Sequence, residues 1–483
     1  MTAILVIDVG TTTIRAAVVD EQLQIVALAH RSSPPTTPAP GLVEFDPVAM
    51  YDIVTDACQE VLSNVGEPAR VLGITNQRAS TVVWERSTGE PIAPALGWQD
   101  LRTVMECIMA KAEHDLALAP NQPATKVPWL LDHVEGARQR DVCFGTVETW
   151  LAWKLSGGEL HVTDHTNAAV SGLMTPDASQ WDARTLDVLG IPASVLPTVV
   201  DSCGVIGAAT ALDGSVPIGA LIGDQQASLV GQGCVTPGRA KLTFGTSGIL
   251  DLCGGDDAPA TARRGPHGTY PVVAWSRQGA LTWGVEAIML AAGTNVEWLR
   301  DDLGVLRTSA ESADLASSVR SADGAVFVPA LLGLGTPAWD YGARGTLLGV
   351  TRGTTKAHLV RAVLEGVAHR GADLVEAAEA DTGLSISALR VDGGMSANPT
   401  FTQAVADATQ RRVEVSPVAE ATTLGAAFLA GLAVGVWDDV GDADRAWNPA
   451  RVHEPAQALD RDQWREAVER SRRWIPELSA LEF

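Results

Sequence analysis

Asp8-Val9-Gly10-Thr11-Thr12-Thr13-Ile14-Arg15 follows directly on the apolar run Ile4-Leu5-Val6-Ile7. The run predicts a buried strand ending in a carboxylate, and the Gly-Thr turn leads into a second strand, Ala16 to Val19. Gly10 lets the backbone bend close to a ligand. Successive N–H groups and hydroxyls at Thr11, Thr12 and Thr13 can form a concave nest for phosphate oxygens. Asp8, at the strand end, is placed to hold Mg²⁺ directly or through water. Taken alone, the same eight residues read equally well as an ordinary hairpin turn.

A partial restart of the pattern appears near residue 220. Leu221-Ile222 leads to Gly223-Asp224, and Lys241-Leu242-Thr243-Phe244 is followed by Gly245-Thr246-Ser247-Gly248 and the apolar stretch Ile249 to Leu252. Two Gly-Thr hairpins in two halves suggest a duplicated unit with a ligand between them. Farther on, the predicted strand Ala388-Leu389-Arg390-Val391 runs into Asp392-Gly393-Gly394, and Asn398-Pro399 opens a helix. A glycine turn before a helix N-terminus suits the anionic or polar end of a nucleotide.

Around these turns the first hundred residues predict an antiparallel meander near 4–7, 14–19 and 24–29. A helix capped by Asp46 with Pro47 in its first turn follows, and then a strand at Val71 to Ile74. In that helix Ile53, Val54, Ala57, Cys58, Val61 and Leu62 fall on one face. Leu424 to Trp437 reads as a buried helix, too short for the roughly 20 residues that cross a bilayer. Arg461 to Trp474 reads as a closing charged helix, and His161-x-x-Asp164-His165 as a polar surface strand and turn.

The chain has 483 residues, enough for two domains. Its net charge of −23, from 35 basic and 58 acidic residues, sets aside nucleic acid and anionic membranes as partners. A phosphate site on such a surface has to work locally, through backbone N–H groups and a cation. The six scattered cysteines contain no C-x-x-C pair and read as small buried hydrophobes in a reducing, cytoplasmic compartment. None of the five lysines lies in a G-x-x-x-x-G-K-[ST] loop, and no G-x-S-x-G elbow occurs.

Three polar clusters remain. Thr75-Asn76-Gln77-Arg78-Ala79-Ser80 follows a predicted strand, where Arg78 can bond substrate hydroxyls or simply sit on the surface. In Gly97-Trp98-Gln99-Asp100 the indole can cover a carbon skeleton or pack in the core. In Gly223-Asp224-Gln225-Gln226-Ala227 the carboxylate is a candidate base or only an N-cap.

Together with Gly41-Leu42-Val43-Glu44-Phe45-Asp46-Pro47, Phe144-Gly145-Thr146-Val147, Gly333-Leu334-Gly335-Thr336-Pro337 and Arg390-Val391-Asp392-Gly393-Gly394, these clusters resemble the FGGY carbohydrate kinases from Asp8 to about Val436. Among them the glycerol kinases are most similar. The resemblance implies an α/β, two-domain actin-like ATPase fold, related to ribonuclease H, with a deep cleft. Residues 1–232 would carry the acceptor and base, and 233–483 the ATP. It implies ATP and Mg²⁺ as cofactors, with Asp8 near the metal and Thr11, Thr12 and Arg15 near the phosphates. Thr246, Gly293, Gly394 and Asn398 match nucleotide-contacting positions, and Glu297 stands where glycerol kinases carry Gln. Asp224 matches the catalytic base, with Arg78, Trp98 and Gln225 lining the acceptor pocket. The implied partner is a small polyol or sugar, and the implied assembly a homo-oligomer.

Three pocket positions depart from that pattern. Ala79 replaces a Glu, Asn121 a Tyr and Ile249 a Phe. Each change enlarges the pocket or alters its polarity, so the expected reaction is transfer to a primary hydroxyl of glycerol or of a longer polyol. A ketopentose or pentitol kinase of the same family is the first alternative. An actin-like ATPase without a small acceptor is the second.

Overall fold

The computed structural model describes residues 2–259 and 264–480. Its main sheet has thirteen strands. From one edge to the other they are Arg451–His453, Arg412–Val415, Ala388–Asp392, Ala240–Phe244, Gly248–Gly255, Ala280–Met289, Tyr270–Arg277, Cys203–Ala209, Val216–Gly223, Val71–Asn76, Ile4–Val9, Thr13–Val19 and Ile25–Ser32.

The sheet is two similar arrays joined at one point. In the first, Ile4–Val9 pairs antiparallel with Thr13–Val19, which pairs antiparallel with Ile25–Ser32, giving the expected meander. Val71–Asn76 runs parallel on the other side of Ile4–Val9. In the second, Ala240–Phe244 and Gly248–Gly255 form the hairpin, Ala280–Met289 extends it, and Ala388–Asp392 runs parallel to Ala240–Phe244. Within the sheet the arrays are joined where Cys203 pairs with Arg277. Each Gly-Thr turn therefore lies between the same two strands of its own array.

Helices cover both arrays. Pro47–Val65 starts as expected: the Asp46 carboxylate accepts from the Val48 and Ala49 N–H groups, and Gly66, at φ 72°, ends it. Its buried face of Met50, Val54, Ala57, Cys58 and Val61 shares a core with Leu5, Ile7 and Trp150. In the second array Lys356–Thr382 and Pro399–Thr409 pack beneath Leu242, Phe244 and Val391.

The apolar stretch near Leu424 forms the helix Ala421–Ala433, which ends before Trp437. Although late in the sequence, it lies on the first array, in a core with Ile4, Val6, Val71 and Ile222. There it crosses the helix Asp224–Gly231 at backbone distance. A Cβ on Gly425 would fall 1.8 Å from the Ala227 carbonyl oxygen, and one on Gly231 1.9 Å from that of Ala421. Only glycine permits this approach.

Two expectations need correction. The closing helix is Arg461–Ser471, shorter than expected, because Arg473 takes a left-handed φ of 55° and Pro476 begins a separate short helix. The stretch from His161 to His165 is not a surface turn. Asp164 is fully buried, caps the helix His165–Ala169, and accepts from Ser202 Oγ at 2.7 Å. His161 Nε2 donates to the Phe144 carbonyl at 2.8 Å. Among the described residues no group of three or more His, Cys, Asp or Glu is placed to hold a metal, and no helix is long and apolar enough to cross a membrane.

Candidate active site

Asp8 occupies the end of its strand, level with Arg15 on one neighbour and Thr75 on the other. It is 3% exposed, and it accepts from Thr423 Oγ1 at 3.1 Å and Arg15 Nη1 at 3.5 Å. Burial pushes its carboxyl up to about 6, with Arg15 opposing and the charges of Asp224 and Glu420 adding to the rise. Arg15 Nε in turn lies 2.9 Å from Glu420 Oε2, just before the helix Ala421–Ala433.

The first turn is closed by the Gly10 N–H, which donates to the Thr13 carbonyl at 2.9 Å. Thr12 is exposed, and Thr11 and Thr13 are half-buried. Trp98 is not a core residue: it is 37% exposed, and its Nε1 donates to Thr11 Oγ1 at 3.0 Å.

At the second turn Thr246 is exposed. Its carbonyl accepts from the Ala292 N–H at 2.9 Å, and the Gly245 carbonyl accepts from the Gly293 N–H at 2.8 Å. Gly293 precedes the helix Thr294–Asp301, on whose first turn Glu297 is exposed. Gly393, at φ 83°, passes so close to Phe244 that a Cβ would lie 2.5 Å from its carbonyl oxygen. Gly394 then opens a short turn, and Asn398 caps the helix Pro399–Thr409 by accepting from the Phe401 N–H at 3.1 Å. Thr246, Gly293 and Gly394 thus come together around one turn. Asn398 faces Ser312, to whose Oγ its Nδ2 donates at 3.1 Å.

Asp224 is the first residue of its helix, and Gly223 holds the cap position. The positive end of the helix therefore lies beside the carboxylate. The Gln225 N–H donates to Asp224 Oδ1 at 2.8 Å, and Arg78 Nε stands 3.6 Å away. Burial raises the Asp224 carboxyl, while Arg78 and Lys241 pull it down. Such a carboxylate can accept a proton from a hydroxyl brought within hydrogen-bond reach.

Five residues in this region were not singled out by sequence motifs: Lys241, Asp251, Glu286, Glu420 and Thr423. Arg78 Nη2 donates to Glu286 Oε2 at 2.6 Å. Lys241 Nζ donates to Gln225 Oε1 at 2.8 Å and lies 2.8 Å from Asp251 Oδ2. Burial and the Glu286 charge push Asp251 up to about 6, against Lys241. Strand alternation carried a signal for Asp251: it is a carboxylate in an apolar strand, two residues from Ile249 and so on the same face.

The three departing positions sit differently. Ala79 is buried, with a left-handed φ of 66°. Ile249 is half-buried opposite Ile288. Asn121 is exposed, and its side chain bonds to none of the acceptor cluster among the described residues. Its carbonyl accepts from Lys126 Nζ at 3.2 Å, and the same ammonium donates to the Gly97 carbonyl at 2.6 Å.

Profiles of the FGGY family of carbohydrate kinases match the chain twice, the N-terminal domain over residues 3–231 and the C-terminal domain over residues 240–434. A glycerol kinase of Aromatoleum aromaticum is 42% identical, covering 98% of this chain and 100% of that protein. One of Deinococcus radiodurans is 41% identical, covering 98% of each. The crystal structure of Plasmodium falciparum glycerol kinase with ADP superposes with a TM-score of 0.91 at 29% identity, over 98% of both chains. A xylulose kinase of Rhodospirillum rubrum, 23% identical, shares the fold with a TM-score of 0.84 over 96% of this chain and 97% of that one.

Proposed function

The chain belongs to the FGGY family of carbohydrate kinases, and on that footing we propose that it moves the terminal phosphoryl group of ATP to a primary hydroxyl of a small polyol, with Asp224 as base. It is an ATP-dependent kinase of glycerol kinase type with the two-domain α/β fold of that family. The observation that carries the acceptor reading is the meeting of Asp224, Arg78 and Gln225 beside the Asp8 turn.

In this reading residues 1–232 bear the acceptor and base, and 233–483 most of the nucleotide. Asp224 takes the hydroxyl proton as the oxygen attacks. Arg78, Trp98 and Gln225 orient the polyol, with Ala79, Asn121 and Ile249 setting the room around it. Thr11, Thr12, Thr13 and Arg15 face the phosphates, and Thr246, Gly293, Gly394, Glu297 and Asn398 the rest of the nucleotide. The donor set fits a hard cation carried in with the nucleotide, since Asp8 is a buried carboxylate that accepts from a hydroxyl and a guanidinium and has the Asp224 and Glu420 carboxylates close enough to act on it. Mg²⁺ held by Asp8 would neutralise phosphate charge; the alignment of acceptor and donor is the protein's own part. The reading also includes a cytoplasmic homo-oligomer, supported by six buried free cysteines and by Leu101, Met105 and Met109 exposed together.

A panel of glycerol, erythritol, threitol, ribitol, xylitol and ketopentoses, with product identification, tests the acceptor. Highest kcat/KM on a polyol supports the reading. ATP hydrolysis that no acceptor stimulates overturns it.

A further inference from the structure

A row of directly opposed residues crosses the second array: Lys241 faces Asp251, Asp251 faces Glu286, and Glu286 faces Tyr270. Opposed residues carry their side chains on one face of a sheet. Two hydrogen bonds identify that face. Lys241 Nζ reaches Gln225, and Glu286 Oε2 receives Arg78, so the row looks onto the acceptor residues of the first half. Asp251 stands between Lys241 and Glu286, 3% exposed, and therefore faces the same residues.

The charges in this enclosure do not balance. Arg78 and Lys241 supply two positive charges against three carboxylates, Asp224, Asp251 and Glu286, all close enough to act on Arg78. The negative excess disfavours an anionic guest in a site where solvent screens poorly. Each carboxylate also offers about four lone-pair sites, more than one ammonium or guanidinium bond fills. Hydroxyl groups are the matching donors. Ala79, beside Arg78, offers them no side-chain acceptor.

We propose that Asp251 and Glu286 are specificity-determining residues, receiving hydroxyl hydrogens of a neutral polyol from the sheet side of the pocket and turning away sugar acids and phosphorylated sugars. The inference rests on the phosphotransfer reading above. It places part of acceptor recognition on strands of the second array.

A hydroxyl-deletion series tests it. Wild type, Asp251→Asn and Glu286→Gln are assayed on the best neutral polyol of the panel, on its monodeoxy analogues and on the sugar acid of equal length, with KM for ATP measured alongside. Wild type is expected to lose about 10- to 100-fold in kcat/KM on the analogue lacking the recognised hydroxyl. At least one variant is expected to shrink that penalty to below about threefold while KM for ATP stays within about twofold. Wild type is also expected to use the sugar acid far less well than the polyol. Deletion penalties equal to wild type in both variants overturn the inference, as does equal use of the sugar acid. Should Asp251→Asn fail to fold with Lys241 unpaired, Glu286→Gln decides the matter alone, since it keeps the shape and an acceptor for Arg78. A wild type that phosphorylates no neutral polyol defeats the phosphotransfer reading itself, a different result from unchanged penalties.

Discussion

The indole N–H of Trp98 donates to the hydroxyl of Thr11 at 3.0 Å, so a residue proposed to wall the acceptor pocket is tied to the turn proposed to face the phosphates. Trp98→Phe keeps an aromatic ring and removes the donor. The expected loss is about fivefold in kcat/KM, corresponding to roughly 1 kcal/mol for one hydrogen bond. Melting temperature should stay unchanged, because the ring is partly exposed. Steady-state kinetics with each substrate varied in turn checks this, and a change confined to stability would contradict it.

Removing the proposed base should damage turnover and spare nucleotide binding. Asp224→Ala is expected to lower kcat by about 10² to 10⁴, the usual share of a positioned base. Calorimetric titration with a nucleotide should give a dissociation constant close to that of wild type. Near-normal turnover would remove Asp224 from its assigned role.

The pH dependence follows from Asp8. Its folded pKa of about 6 lies above the ordinary value of 3.8, so the native state holds the extra proton between those values. In the ligand-free protein this proton's contribution to stability is greatest below the lower value and fades as pH rises through about 6. The proposed role of Asp8 toward the nucleotide's cation calls for the ionised form, so kcat/KM for ATP is expected to fall on the acid side of about pH 6. Asp8→Asn should flatten the stability trend between about pH 4 and 6, as read by melting curves across that range. An unchanged trend would exclude Asp8 as its source.

Filling the helix crossing should be costly. At Gly425 an added methyl would overlap the Ala227 carbonyl oxygen, at 1.8 Å, and backbone atoms cannot swing aside as side chains do. Gly425→Ala is expected to destabilise by about 1–3 kcal/mol or more, visible in urea or thermal unfolding. A fully stable variant would show that the two helices can separate without penalty.

Much of this arrangement is legible in the sequence. The Asp8 strand, its turn, the capped helix at Asp46 and the second turn at Thr246 announce themselves by local chemistry, because glycine turns and N-caps depend on neighbouring residues. Asp251 and Glu286 do not. A carboxylate in an apolar strand gains its partners when the register sets Lys241 opposite Asp251 and the fold brings the Arg78 loop to Glu286, and both are long-range properties. Asp164 misled for a similar reason: its partner Ser202 lies 38 residues away, so a buried polar link looked like a surface turn. Trp98 could be core or pocket until its exposure and its bond to Thr11 set the core reading aside.

The glycine-to-glycine crossing of Asp224–Gly231 with Ala421–Ala433 fixes more than stability. One of these helices begins at the base, and the other begins beside Glu420 and Thr423, which hold Arg15 and Asp8. Locked backbone to backbone, the pair is a single strut bearing Asp224, the proposed proton acceptor, at one tip and the residues that hold Asp8 and Arg15 at the other. The spacing between Asp224 and the Asp8–Arg15 pair is thereby set by backbone contact between two helices. The strut holds that spacing constant, while the two arrays are joined in the sheet where Cys203 pairs with Arg277 and Ser202 and Ser276 exchange hydrogen bonds.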